Sequence, residues 1–310
     1  MPFATIPSKP QAPLAYKLFE SSGSADSPLV VFINGLGLPS ISWETAISLL
    51  QESATSMKPK ILTYDRYGQG DTTASDPTDQ QPGKDPAYGH DVNDVVHDLH
   101  ELLQVVAPNS TRFVFVAASI GVHIARLYAD KYPGIVEGLL FLDSNVGNQE
   151  FTDFWPNPHA ADFQPSDVLS EDCTLEQYKA AYAKLGMMFD SDVKNPEGLD
   201  RRNIKMLLPE PSVPKLNGSN GKGPWLTVAG HDPDFFVEEN FEKLKIPRSI
   251  TKKYTQPGWH NYNEGLLKLT ELDRSRGVIF ASKSGHFIQK DNPQFVATEL
   301  EDLLQKVESN

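Results

Sequence analysis

The chain has 310 residues, of which 39% are hydrophobic and 22% charged, with a formal net charge of −13 at pH 7. That length supports a well-filled core, either as one large domain or as a core with a subdomain. The acidic balance argues against nucleic-acid or anionic-membrane partners, which need a basic footprint, and no stretch reaches the roughly 20 apolar residues of a membrane-spanning helix. A single cysteine, Cys173, rules out an intrachain disulfide and suits a reducing compartment. With neither a basic n-region nor an apolar h-region at the amino terminus, a cytoplasmic location is expected.

Residues 14–20 alternate weakly and read as an opening edge strand, followed by a Ser/Gly/Asp/Pro turn over 21–28. Leu29-Val30-Val31-Phe32-Ile33 is continuously apolar, as suits a strand buried on both faces. It ends in Asn34-Gly35-Leu36-Gly37, and a helix carrying Trp43, Ala46, Ile47 and Leu50 is expected next. A strand over 61–64 runs into the turn Asp65-Arg66-Tyr67-Gly68-Gln69-Gly70, and a polar loop covers 71–89. Val92, Val95, Val96, Leu99, Leu102, Leu103 and Val106 then form one helical stripe. His90, His97 and His100 lie beside it and read as a solvated helix surface.

Residues 113–125 hold an apolar run, a lone Ser119 and a helix-like segment, the layout of a strand, a tight turn and a buried helix. The turn reads Ala117-Ala118-Ser119-Ile120-Gly121, with small residues where the two backbones approach. A strand over 136–142 ends at Asp143-Ser144. The βα alternation then stops. Residues 146–223 read as an inserted helical cap, with an amphipathic helix opened by a Thr174/Gln177 capping box and a second helical piece over 200–208. The flanking segments, 1–145 and 224–310, form the core. A strand over 225–229 runs into Gly230-His231-Asp232-Pro233-Asp234, residues 257–271 read as helical, and a last strand over 278–281 precedes Ser284-Gly285-His286. A helix opening at Asn292-Pro293 closes the chain, with Pro at its first turn. Strands alternating with helices predict an α/β fold with a mostly parallel sheet.

The chemistry-bearing residues fall where strands stop, which is where sites form in such sheets. A serine hydroxyl needs an imidazole to take its proton, the imidazole needs a carboxylate to hold its tautomer, and the oxyanion needs backbone N–H donors. Ser119 and His286 fill the first two roles. Asp232 is the first candidate acid, with Asp143, 24 positions past Ser119, and Asp234 as alternatives. Leu36 and Ile120 are the candidate oxyanion donors, with Gly35 next after Leu36. Trp155, Met187, Met188, Phe189 and Trp259 are candidates for an apolar substrate pocket. No Cys pair or H-E-x-x-H run occurs, so neither a metal nor a cofactor is expected. The basic residues of 243–253 read as a solvated face.

Five motifs in order resemble the α/β-hydrolase superfamily over nearly the whole chain outside the cap: Asn34-Gly35-Leu36-Gly37 resembles the family's oxyanion loop, Asp65 to Gly70 its D-x-R-G-x-G turn, Ala117 to Gly121 its nucleophile elbow, Asp232-Pro233 its acid and Gly285-His286-Phe287 its histidine loop. Two departures stand out. Ala117 replaces the first elbow glycine, and Gly230-His231-Asp232 is one residue shorter than the family's G-x-x-D; some relatives, certain fungal lactonases among them, place the acid where Asp143 stands. The resemblance implies a serine hydrolase (esterase, lactonase or thioesterase-like) acting through an acyl-enzyme on a medium-sized apolar ester or lactone. The oxyanion loop, the cap and the 285–289 segment are also similar to fungal hydrolases of polyketide metabolism. That likeness implies two alternatives: cleavage of an acyl thioester from a carrier protein, with 243–253 as a local basic patch, or lactone formation. A catalytically idle small-ligand binder is the reading from another class.

Overall fold

The computed structural model describes residues 1–20, 27–53, 58–219 and 221–309. Most of the turn expected at 21–28 lies outside these residues, as does position 220 of the loop before β9. In chain order the strands are β1 (Phe3–Ile6), β2 (Lys9–Phe19), β3 (Leu29–Ile33), β4 (Ile61–Tyr64), β5 (His90–Asp91), β6 (Phe113–Ala118), β7 (Val136–Leu142), β8 (Leu199–Asp200), β9 (Trp225–His231) and β10 (Ile279–Ala281). The α-helices are α1 (Glu44–Glu52), α2 (Val92–Val106), α3 (Gly121–Lys131), α4 (Leu175–Phe189), α5 (Ile204–Leu207), α6 (Pro233–Leu244), α7 (Arg248–Ile250), α8 (Gln256–Leu266), α9 (Ile288–Asp291) and α10 (Pro293–Glu308).

Eight strands form one sheet in the order β1-β2-β4-β3-β6-β7-β9-β10. From β4 to β10 all neighbours are parallel, and only β2 is reversed, running antiparallel to β1 and to β4. The alternation of side chains along a strand explains why β3 and β6 are apolar throughout. Leu29, Val31, Ile33, Phe113, Phe115 and Ala117 join the core on the face covered by α2 and α3, whereas Val30, Phe32, Val114, Val116 and Ala118 join the core with α1 and α10. The predicted stripe of α2 is buried from Val92 to Leu103. Asp91 caps this helix, accepting from Asn93 N and Asp94 N, in a capping box with Asp94.

Some expectations are corrected. The opening segment is a hairpin, β1–β2, and β2 meets β4 only over Tyr16–Phe19. His90 does not lie on a solvated face: it is buried, with Nδ1 2.9 Å from Asp79 Oδ1. His100 is partly buried and stacks on Tyr132 with ring centroids 3.8 Å apart. His97 is exposed as expected. The helix expected over 200–208 shortens to α5, because Leu199 and Asp200 pair with His90 and Asp91 as a two-stranded sheet.

Between β7 and β9, α4 opens at the Thr174/Gln177 capping box as read from the sequence. Trp155, Tyr178, Ala181 and Leu185 pack there in a third core cluster, and Ile246 and Ile250 belong to the same cluster. This third cluster therefore draws on residues past 223, one in the α6–α7 connection and one in α7.

Candidate active site

β6 ends at Ala118, and Ser119 takes φ +54°, a left-handed conformation that a non-glycine residue adopts only when its surroundings impose it. The turn is held by Ser119 N donating to Leu142 O at 3.1 Å. Gly121 is required by the same turn, since a Cβ there would stand 2.5 Å from Ile33 O and 2.9 Å from Asn34 O. Ala117 is fully buried between β3 and β7, opposite Ile33 and Phe141, and its methyl is accommodated in the core.

His286 Nε2 lies 3.0 Å from Ser119 Oγ, and His286 Nδ1 lies 2.7 Å from Asp143 Oδ2. The acid beside His286 is thus Asp143, and the expectation for Asp232 is corrected. Asp232 caps α6, accepting from Asp234 N at 3.1 Å and Phe235 N at 3.2 Å, and its second oxygen accepts from Lys283 N at 2.9 Å. It therefore steadies the turn that leads to His286, three residues away from the chemistry. Asp234 is exposed on α6 and lies outside the cluster. The reason is sheet order: β7 lies directly between β6 and β9, so the residue after β7 reaches the centre of the carboxyl edge. Asp143 adopts φ +43°, its N–H donates to Ala229 O at 2.7 Å, and its side chain is wholly buried.

A second imidazole that sequence reasoning passed over meets the same carboxylate. His231 Nδ1 lies 2.9 Å from Asp143 Oδ1, and its backbone N–H donates to that oxygen at 3.1 Å. The sequence signal was available: His231 is the last strand residue beside Asp232, in the stretch read only for its aspartate. Burial alone would raise the Asp143 pKa, but the charges and hydrogen bonds of His231 and His286 outweigh it and bring the group down to about 2. Asp143 is an anion at any pH near neutrality.

The loop after β3 is anchored through its Asn34 and Gly35 carbonyls. Arg66 Nη1 donates to Asn34 O at 2.8 Å, Arg66 Nη2 to Gly35 O at 2.9 Å and Gln69 Nε2 to Gly35 O at 2.9 Å. Glu197 completes this clamp: it is buried, accepts from Arg66 Nε at 2.7 Å and from the Gly37 N–H at 2.6 Å. Leu36 and Ile120 both line the cavity over Ser119. Among the described residues neither amide donates to a backbone acceptor outside the regular elements. Gly35 comes close enough that a Cβ there would stand 3.3 Å from Ser119 Cβ.

The cavity above Ser119 has a volume of about 400 Å³. Met188, Phe189, Phe236, Trp259 and Phe287 supply apolar wall, and Glu239 with Lys243 supplies a charged section. Three expectations hold by position: Met188, Phe189 and Trp259 line the cavity. Trp155 does not; it lies in the third core cluster, with Nε1 donating to Thr255 Oγ1 at 2.9 Å. Met187 is 72% exposed and lies outside the wall. The 243–253 stretch is not a run of free cations, since Lys243 meets Glu239 Oε1 at 2.5 Å and Arg248 Nη2 meets Glu238 Oε2 at 2.6 Å. Among the described residues no group of three or more His, Cys, Asp or Glu is placed to hold a metal ion, and no helix is long and apolar enough to cross a membrane.

These features define a member of one large superfamily. The model of the alpha/beta hydrolase family matches residues 30–299, and the chain belongs to that family. No curated protein matches it. Among solved structures it is similar to a carboxylesterase of the thaumarchaeon Nitrososphaera gargenis (15% identity, 99% of each chain covered, TM-score 0.53). It is likewise similar to a thermophilic esterase of Thermogutta terrifontis (14% identity, 98% of each chain, TM-score 0.55). A third is Est816, described as an N-acyl homoserine lactone degrading enzyme (17% identity, 97% of this chain and 99% of that chain, TM-score 0.51). At these identities the likeness establishes the fold.

Proposed function

We propose that the protein is a cofactor-independent serine hydrolase that cleaves a carboxylic ester or lactone with a medium-sized apolar acyl group. The observation that carries this reading is the chain of contacts from Ser119 Oγ through His286 to a buried, ionised Asp143, with Ser119 and His286 lining a largely apolar cavity. Ser119 Oγ attacks the carbonyl carbon while His286 Nε2 takes its proton, and Asp143 stabilises the resulting imidazolium. The oxyanion is met by the Leu36 and Ile120 N–H groups. Collapse breaks the bond to the alkoxide, which takes the proton from His286, leaving an acyl-Ser119. Water, deprotonated by His286, attacks that ester and releases the acid and the free serine.

The cavity supports the substrate class, since apolar walls with few polar groups bind apolar chains. Residues 146–223, with the adjoining 236–255 stretch, act as the cap that encloses the acyl group. The esterase and lactone-degrading activities named for structurally similar proteins agree with this reading. The pairing of Lys243 and Arg248 with glutamates removes much of the basic patch that docking of an acidic carrier protein would use, so free esters and lactones are favoured over carrier-bound thioesters.

A fluorophosphonate probe tests the reading. Ser119 is expected to be labelled in the folded protein, with labelling abolished in Ser119→Ala, and p-nitrophenyl esters of intermediate chain length to be turned over. Absence of labelling would point to a ligand-binding protein, and turnover of acyl thioesters without turnover of simple esters would point to a thioesterase.

A further inference from the structure

Asp143 is shared between two imidazoles, and the hydrogen-bond directions around the second one are fixed by its neighbours. Gln256 Nε2 donates to Pro233 O at 3.1 Å, so Gln256 turns its Oε1 towards His231, 3.1 Å from Nε2. An amide oxygen only accepts, so His231 Nε2 carries a proton. On the other side of the ring, Nδ1 faces Asp143 Oδ1, a carboxylate oxygen that already accepts from the His231 backbone N–H. A carboxylate also only accepts, so Nδ1 carries a proton as well. We infer that His231 is held as an imidazolium and is a positioning residue for the triad: it takes one oxygen of Asp143, turns the other to His286, and offsets part of the carboxylate's charge. The inference rests on the hydrolase reading of Ser119, His286 and Asp143.

The surroundings make the site specific. His231 is 4% exposed, stacks on Phe236 with centroids 3.9 Å apart, and meets the edge of Trp259 at 5.1 Å. The ionisable groups around it are Asp143 at the end of β7, Glu239 on α6 and the neighbouring Asp232, with His286 across the Asp143 carboxylate. Burial pulls the imidazole towards neutrality, but the Asp143 charge, the hydrogen bonds to Asp143 and Gln256, and Glu239 outweigh it, and its pKa is raised. An imidazolium here has a cost and a use. It draws on the same carboxylate that stabilises His286 when His286 takes the serine proton. With His231 charged, Asp143 has less charge to offer the imidazolium that His286 becomes on taking the serine proton, and the enzyme keeps its activity on the acid side.

His231→Gln keeps a donor for Asp143 Oδ1 but removes the charge. Asp143 then favours protonated His286 more strongly, so the acid limb of the rate profile moves to higher pH, by about one unit given the shifts typical of a charge at this range. The readout is the second-order rate of fluorophosphonate labelling at Ser119 from pH 5 to 9, which needs no knowledge of the natural substrate. The wild-type to variant rate ratio is expected to grow about tenfold between the plateau and the acid limb. A ratio that is constant with pH, or an acid limb that moves down, overturns the inference, because lost packing alone lowers the rate equally at every pH. If the variant does not fold, the wild-type protein carries the test: ring ¹⁵N shifts of His231 at pH 7 are expected to show both nitrogens protonated, and a neutral ring overturns the proposal. Wild-type protein that fails to label at Ser119 while His231 is doubly protonated would instead overturn the hydrolase reading.

Discussion

Ser119 and Asp143 are two non-glycine residues at positive φ, each at the carboxyl end of a parallel strand. Both are forced there by backbone bonds to the adjoining strand, Ser119 N to Leu142 O and Asp143 N to Ala229 O. The serine was legible from its small neighbours. The acid was not, because strand order in a sheet is a long-range property and the sequence shows only that several strands end in aspartate. Two consequences belong to this scale. Replacing Gly121 with Ala sets a methyl against Ile33 O, and overpacking of this kind costs about 1–3 kcal/mol; thermal unfolding should show a fall of several degrees in Tm. The second concerns pH. His231 has a raised pKa, so its contribution to stability is complete below its unfolded value near 6.5 and is lost as pH rises through the folded value. The Tm difference between wild type and His231→Gln should be largest near pH 5–6 and shrink on the alkaline side. A difference that grows with pH would contradict the assignment.

Among the elements, α2 and α10 were legible because each buries a regular apolar stripe: Val296, Leu300, Leu303, Leu304 and Val307 of α10 are all buried. The β1–β2 hairpin was not. Pro10 and Pro13 interrupt β2, yet they lie before the Tyr16–Phe19 stretch that pairs with β4, so neither proline removes a hydrogen bond from that ladder. The oxyanion loop depends on an element distant in sequence. Glu197 ties the segment before β8 to Gly37 and Arg66, a coupling that no local pattern announces. Glu197→Ala leaves a buried guanidinium unpaired, and breaking such a pair costs about 3 kcal/mol or more. It should also lower kcat more than it raises KM, because Glu197 fixes Gly37, the neighbour of the Leu36 amide proposed to meet the oxyanion. An unchanged kcat in a folded variant would show that the clamp serves stability alone.

Over the whole molecule, the sheet brings the ends of five strands, β3, β6, β7, β9 and β10, to one edge, and an apolar cavity lies over Ser119 and His286 there. The fold class was legible from the alternation of strands and helices and from motifs in a fixed order. The extent of the third core cluster was not, because Ile246 and Ile250 join it from a stretch whose lysines and arginine read as solvated. The cavity sets a size limit. Met188→Trp should fill part of it and move the best p-nitrophenyl ester to a shorter acyl chain, with KM rising for the longer ones; an unmoved optimum would place the acyl group elsewhere.

The assignment of the acid is the central claim, and comparing kcat for Asp143→Asn and Asp232→Asn on one ester tests it most directly. Asp143→Asn leaves His286 with the wrong partner for its tautomer and should lower kcat by about 10⁴-fold. Asp232→Asn keeps the cap on α6, since asparagine also caps a helix well, and loses only the acceptor for the Lys283 N–H, so kcat should stay within about tenfold of wild type. The reverse pattern, with activity lost in Asp232→Asn and kept in Asp143→Asn, would contradict the account.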